Sequence, residues 1–265
     1  QIWREELDDF VPPRVFDAHT HIYRWAFNTD PDKEQGAYRK FVRPEWEHAG
    51  AELLNACDAA LMPGREVHRL AFPFPFSPSC DFEASNRFVA AETAKDPRSA
   101  ALMLVRPQTT AGEIEQAVDE YGFVGLKPYR FYSSTGDAVD CRITDFLPEH
   151  QIEVAHRRGL ILMMHLARQD AIADELNLVD LERLCEAYPG AKWILAHCAR
   201  SYSSWAIERA MQHTRGRLAE LPNVWYDTSS VCESDAIEAL LQAVGPGRVM
   251  YGSDDIPVGI SRGKY

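Results

Sequence analysis

Short runs rich in aliphatic and β-branched residues alternate with longer stretches whose apolar positions recur at helical spacing, along nearly the whole chain. The runs predict eight strands, at residues 14–19, 67–72, 100–105, 123–127, 160–165, 192–197, 224–227 and 248–253. Leu160-Ile161-Leu162-Met163-Met164 is apolar at every position, as a strand must be when helices cover one face and a packed interior covers the other. Helix ends are marked between the runs. Thr110 followed by Glu113 predicts a capping box that opens a helix running to Tyr121, and Gly122 is placed to stop it. Pro189-Gly190 ends a helix from about Val179, and Gly245-Pro246-Gly247 ends one from about Ser234. No low-complexity linker divides the chain, so residues 1–265 read as a single domain of the α/β class. The alternation fits either a TIM (β/α)8 barrel or a doubly wound open sheet.

Composition narrows the classes. With 46% hydrophobic residues in 265, the chain can bury a substantial core, which excludes disorder. No apolar run approaches the ~18 residues needed to span a bilayer. The net charge of −12 argues against a nucleic-acid surface, which needs clustered Lys and Arg. Six cysteines show neither CxxC nor finger-like spacing with histidine, so most are expected to be reduced core thiols. No secretory apolar region is present, but the chain begins at Gln1, so the cytoplasmic assignment is a default.

The polar residues at strand ends decide between the two architectures. Asp17-Ala18-His19-Thr20-His21 closes the first strand, and a period of two sends residues 17, 19 and 21 to one side. The fifth strand ends at His165, the sixth at His197, and the eighth in Tyr251-Gly252-Ser253-Asp254-Asp255. In a barrel every C-terminal strand end faces the same mouth, where active sites of that fold sit. Four strands thus bring His, His, His and Asp to one rim, and the barrel is favoured. His48, His68, His150, His156 and His213 lie mostly in helical, charged contexts and read as solvated or lightly packed.

In combination and order, these residues resemble the amidohydrolase superfamily, and within it the amidohydrolase-related metal-dependent hydrolases that include aminocarboxymuconate-semialdehyde decarboxylase and pyrone-dicarboxylate lactonase. The resemblance covers nearly the whole chain: an HxH at strand one, a His at strand five, a His at strand six and an Asp at strand eight. It implies that His19, His21, His165 and Asp254 hold one divalent metal and that His197 and Asp254 are catalytic. Imidazoles and a carboxylate suit Zn²⁺ first, and Mn²⁺ also accepts them. A bound cation would acidify its water, Asp254 would take that proton, and His197 would polarise a carbonyl. Asp17 is expected either to fix a ligand or to make a hydrogen bond in the barrel floor.

Lys127 ends strand four, where binuclear relatives carry a bridging carboxylated lysine; here it is expected to remain free. Lys127, Arg130, Arg168 and Arg200 all lie at or just past strand ends and are candidate contacts for a small anionic substrate, arginine matching a carboxylate in a bidentate fork. The alternative is that the arginines pair with surplus acids on the rim. The stretch between His21 and Pro44 carries Tyr23, Arg24, Trp25, Phe27, Tyr38 and Phe41, and reads as a loop that covers the mouth or buries a contact in a homo-oligomer. Cys198 is expected to be a packed thiol. Only 11 residues follow Asp254, which leaves no room for an eighth helix and puts the seal between strands eight and one in doubt. GxSxG, GxxxxGK[ST] and HExxH motifs are missing. The expected activity is metal-dependent hydrolysis of a carboxylated lactone, amide or related bond. The alternatives are a metal-dependent non-oxidative decarboxylase or lyase, a lactonase that needs no metal, and a barrel that binds a ligand without turnover.

Overall fold

Eight parallel strands and one short antiparallel strand form a single sheet in the order β2-β1-β3-β4-β5-β6-β7-β8-β9, seen in a computed structural model that describes residues 2–31, 47–76, 79–213 and 216–256. The strands are β1 (Arg14–Arg24), β2 (His48–Ala49), β3 (Glu66–Pro73), β4 (Ala100–Val105), β5 (Gly125–Pro128), β6 (Ile161–Met164), β7 (Lys192–Leu195), β8 (Val224–Asp227) and β9 (Val249–Met250). β2 pairs only with β1; the eight parallel strands correspond to those predicted. Helices cross back between successive parallel strands, among them Phe82–Thr93, Ala111–Tyr121, Glu149–Arg158, Glu175–Ala187 and Ser204–His213.

The two faces of the sheet are buried in different ways. Leu70, Phe72, Leu102, Met163, Ile194 and Ala196 pack together inside the curled sheet. Their strand neighbours Ala71, Leu162, Met164, Trp193 and Leu195 belong to the larger core under the helices. Alternation along each strand therefore decides which side chains reach the interior.

The seam between the last strand and the first is closed by backbone hydrogen bonds, which answers the doubt raised by the short C-terminal sequence. Ala18 N donates to Tyr251 O at 2.9 Å, Asp254 N to His19 O at 2.9 Å, and His21 N to Asp255 O at 2.6 Å. Thr20 and Asp255 form a parallel bridge. The extended segment after β9 does the sealing, and no helix follows it among the described residues. Asp17 reinforces this seam: a single carboxylate oxygen, Oδ1, accepts from His19 N and from Ser253 N, each at 3.0 Å. Burial pushes its pKa up to about 7. Of its two expected roles, the hydrogen bond that holds backbone is the one formed.

Local signals match where they are chemically explicit. Thr110 N donates to Glu113 Oε2 at 2.7 Å and Glu113 N to Thr110 Oγ1 at 3.3 Å, and Gly122 ends that helix with φ of 72°. The helix expected from about Val179 starts at Glu175 instead, because Asp174 accepts from Leu176 N at 2.9 Å and caps it. The expected mouth loop is shorter than the sequence suggests. Tyr23 and Arg24 belong to β1, Tyr23 is buried, and Trp25–Phe27 forms one 3-10 turn; Tyr38 and Phe41 lie outside the described residues. No helix among the described residues is long and apolar enough to cross a membrane.

Asp17→Ala should lower unfolding free energy by on the order of 2–4 kcal/mol, because two buried N–H groups lose their acceptor. Asp17→Asn keeps a side-chain oxygen and should stay close to the parent in urea denaturation.

Candidate active site

The pairing of β1 with β3 shifts register between Asp17 and Thr20, so the expected single face of residues 17, 19 and 21 is broken: His21, opposite Phe72, and His19 turn to the interior, while Asp17, opposite Arg69, stays at the seam. Alternation places Lys127 on β5, His165 one residue past β6 and Asp227 at the end of β8 inside. Asp254, on the segment that seals the barrel, projects among them with a left-handed backbone (φ 63°). Gly252 makes this approach feasible, since a Cβ there would lie 2.9 Å from the His19 Cβ and 3.1 Å from the Ser229 Cβ.

His19, His21 and His197 gather around Asp254; of the four expected ligands, only His19 and Asp254 belong to the group close enough to share an ion, which His197 joins, while His165 stands beside His197. His21 Nε2 lies 3.1 Å and His19 Nε2 3.4 Å from Asp254 Oδ1, and His197 Nδ1 lies 4.0 Å from Asp254 Oδ2. Ligand atoms of His19, His197 and Asp254 all lie within 4.8 Å of one another. The His165 ring stands 5.3 Å from that of His197, and the His197 ring 4.8 Å from that of His19.

Asp227 sets the proton positions. Its Oδ2 lies 3.0 Å from His19 Nδ1, while its Oδ1 accepts from His197 N at 2.9 Å and from Ser229 Oγ at 2.5 Å. A carboxylate partner at Nδ1 fixes the proton there, so Nε2 of a neutral His19 turns its lone pair toward Asp254 Oδ1. His197 Nδ1 lies 2.9 Å from the carbonyl of Ser229, which only accepts, so its Nε2 is likewise unprotonated. Burial lowers the pKa of all four site histidines, His197 to about 4. Burial opposes charge on Asp254 and Asp227 as well, but His19 and His197, joined by His21 at Asp254 and by Ser229 at Asp227, hold both carboxyls far below the usual range. Ser230 Oγ also donates to Asp254 Oδ2 at 2.5 Å.

Neutral imidazoles around ionised carboxylate are the protonation states that a divalent cation requires. His19 Nε2 and Asp254 Oδ1 present two lone pairs to each other, and the buried Nδ1 atoms of His21 and His165 have no hydrogen-bond partner among the described residues. The donor set therefore fits such an ion.

The four candidate substrate cations are placed differently. Lys127 is fully buried within the barrel, its Nζ 4.7 Å from the Phe72 ring and 4.8 Å from the Tyr129 ring, with no hydrogen-bond partner among the described residues. Burial brings its pKa down to about 7. Arg130 donates to Ala138 O, and Arg168 lies 2.8 Å from Asp174 and 4.0 Å from Asp140. Arg200 Nη1 donates to the carbonyls of Leu166, Ala167 and Arg168 at 2.7, 3.2 and 3.0 Å. Pairing with rim acids thus describes Arg168, whereas Arg130 and Arg200 bond to backbone oxygens.

A family model described as amidohydrolase matches residues 16–258. The chain belongs to the amidohydrolase family. No curated protein matches it. Solved structures of the same fold include a putative 2-pyrone-4,6-dicarboxylic acid hydrolase from Pseudomonas putida (18% identity, TM-score 0.60, 92% of this chain and 83% of that one). They also include 4-oxalomesaconate hydratase from Rhodopseudomonas palustris (18%, 0.61, 92% and 82%). A third is 5-carboxyvanillate decarboxylase from Novosphingobium aromaticivorans with bound manganese (15%, 0.62, 93% and 88%). The amidohydrolase barrel is thereby established.

Sequence reading missed Asp227, Ser229 and Ser230. Asp227 was visible as the only acid ending an apolar strand besides those near residue 254, and inward alternation on β8 would have selected it. The serines sit on the following turn and carry no periodic signal. Cys198 is fully buried in the outer core, with burial pushing its thiol up to about 12, as a packed thiol requires.

The buried imidazoles set an acid limit on metal-free protein. A histidine held neutral to about pH 4 stabilises the fold fully above its ordinary pKa of 6.5, and that stabilisation is lost as pH falls through this window. Asp17, with its raised pKa, runs the other way by one proton, so the four imidazoles set the net sign. In chelator-treated protein, unfolding free energy should drop by about 1.4 kcal/mol per pH unit for each extra proton taken up on unfolding. Urea titrations from neutral pH downward check this, and His197→Gln should flatten the slope.

Proposed function

We propose that this amidohydrolase is a metal-dependent hydrolase that acts on a carboxylated small molecule through a lactone, amide or related bond. The observation that carries the reading is the 3.4 Å approach of His19 Nε2 to Asp254 Oδ1, with the His19 proton held on the far side by Asp227. Two facing lone pairs are stabilised by a cation between them. His19, His21, His165 and Asp254 would hold it; Zn²⁺ suits these donors, and Mn²⁺, bound in the decarboxylase structure, is the alternative. When bound, such an ion supplies a Lewis acid and makes water a stronger acid.

The remaining chemistry belongs to the chain. Asp254 Oδ2, hydrogen-bonded by Ser230 and facing His197, is the proton acceptor for the attacking water. His197 is neutral with its lone pair on Nε2, so it accepts a hydrogen bond there; to polarise a carbonyl, as the sequence suggested, it must first take up a proton. Lys127 is the cation inside the barrel that a substrate carboxylate would meet, and the faces of Phe72 and Tyr129 beside it suit a planar or ring-shaped substrate. That aromatic flank also favours the second reading, decarboxylation of an aromatic acid by the same residues.

Elemental analysis of protein prepared without chelator should find about one divalent metal per chain, and chelation should abolish ring opening on a panel of carboxylated lactones. CO₂ release from carboxylated aromatics, without ring opening, would select the decarboxylase instead. Absence of metal with turnover intact would overturn both metal-dependent readings, and absence of both would leave a binding barrel. Asp254→Asn should reduce kcat by on the order of 10²–10⁴-fold.

A further inference from the structure

The placement of His197 breaks the alternation of the strand that leads to it. On β7, Ile194 and Ala196 face the barrel interior, while Trp193 and Leu195 face the helices. Continued strand geometry would send His197 outward and Cys198 inward. The reverse is found. Cys198 and Ala199 are buried in the outer core, and His197 lies against His19.

A left-handed turn makes this exchange. His197 (φ 59°, ψ 50°), Cys198 (49°, 44°) and Ala199 (58°, 38°) are followed by Arg200 at φ 58°. Left-handed backbone crowds the Cβ of every residue but glycine against the following carbonyl oxygen. Four in succession, none of them glycine, persist only where their surroundings over-determine them. Ser201 N closes the turn onto His197 O and Cys198 O, both at 3.1 Å, and Asp227 holds His197 N. The remaining restraint is Arg200, whose Nη1 reaches the three consecutive carbonyls of Leu166, Ala167 and Arg168, the segment that follows His165.

We propose that Arg200 is a positioning residue: its clamp on residues 166–168 locks the left-handed turn that rotates the His197 imidazole into the barrel. It acts through the backbone and ties the loop after β6 to the turn after β7. The inference rests on the site geometry, whichever bond the site cleaves.

The test reads the His197 ring directly, so it can fail independently of the hydrolase reading. In protein labelled at histidine, with the His197 imidazole signals assigned through His197→Gln, Arg200→Ala should shift or broaden those signals while the His68 and His156 signals stay in place. Added guanidinium ion at millimolar concentration should restore them, and sodium chloride at the same ionic strength should not. Ala199→Gly should keep the signals at their wild-type positions and raise the Tm, since glycine removes the left-handed penalty. Wild-type His197 signals in Arg200→Ala would overturn the proposal. A general loss of dispersion that guanidinium does not reverse would do the same, as would a lower Tm together with shifted His197 signals in Ala199→Gly.

Discussion

The hydrogen bond between Asp227 and His19 Nδ1 is the constraint from which the chemistry of this barrel follows. Fixing the proton on Nδ1 leaves Nε2 able only to accept, and Nε2 faces a carboxylate that also only accepts. Those two atoms repel in the absence of positive charge, and burial disfavours charge on the imidazoles around them. The fit of the site to a cation thus depends on the carboxylate at its base as well as on the atoms that face one another. The same carboxylate accepts from the His197 backbone and from Ser229, so one buried acid fixes the tautomer of one histidine and the backbone of another.

What the sequence made legible was periodic or chemically explicit. Eight apolar runs located the parallel strands, and the capping box at Thr110 and Glu113 located a helix start to the residue. The strand-end residues His19, His21, His165, His197 and Asp254 were found because a barrel turns a one-dimensional rule, polar residue after apolar run, into a three-dimensional one. What stayed hidden depended on backbone geometry that periodicity does not encode. The strand read at 248–253 stops at Met250, and the seam is closed by the irregular extended segment at 251–255, whose bonds to β1 periodicity does not encode. Arg130, Arg168 and Arg200 stand at strand ends, yet their partners are loop carbonyls and acids whose positions only the folded turns define.

Backbone strain is concentrated where the chemistry is. Arg168, Ala171, His197, Cys198, Ala199, Arg200, Ser230 and Asp254 are the non-glycine residues with left-handed φ among those described, and all follow the C-terminal ends of β6 to β9. Chain reversals elsewhere, at Gly64, Gly122, Gly136, Gly159, Gly216 and Gly245, use glycine and carry no such penalty. The contrast has a physical reading. An ordinary turn needs only to reverse direction, and glycine does this at least cost, whereas a turn at the mouth must also present a particular side chain. His197 and Asp254 could not be exchanged for glycine without losing the imidazole or the carboxylate that the turn exists to place. The strain is tolerated because β6 to β8 beneath are paired on both sides and buried on both faces, so unfavourable backbone at the rim is carried by strands that contain none of it.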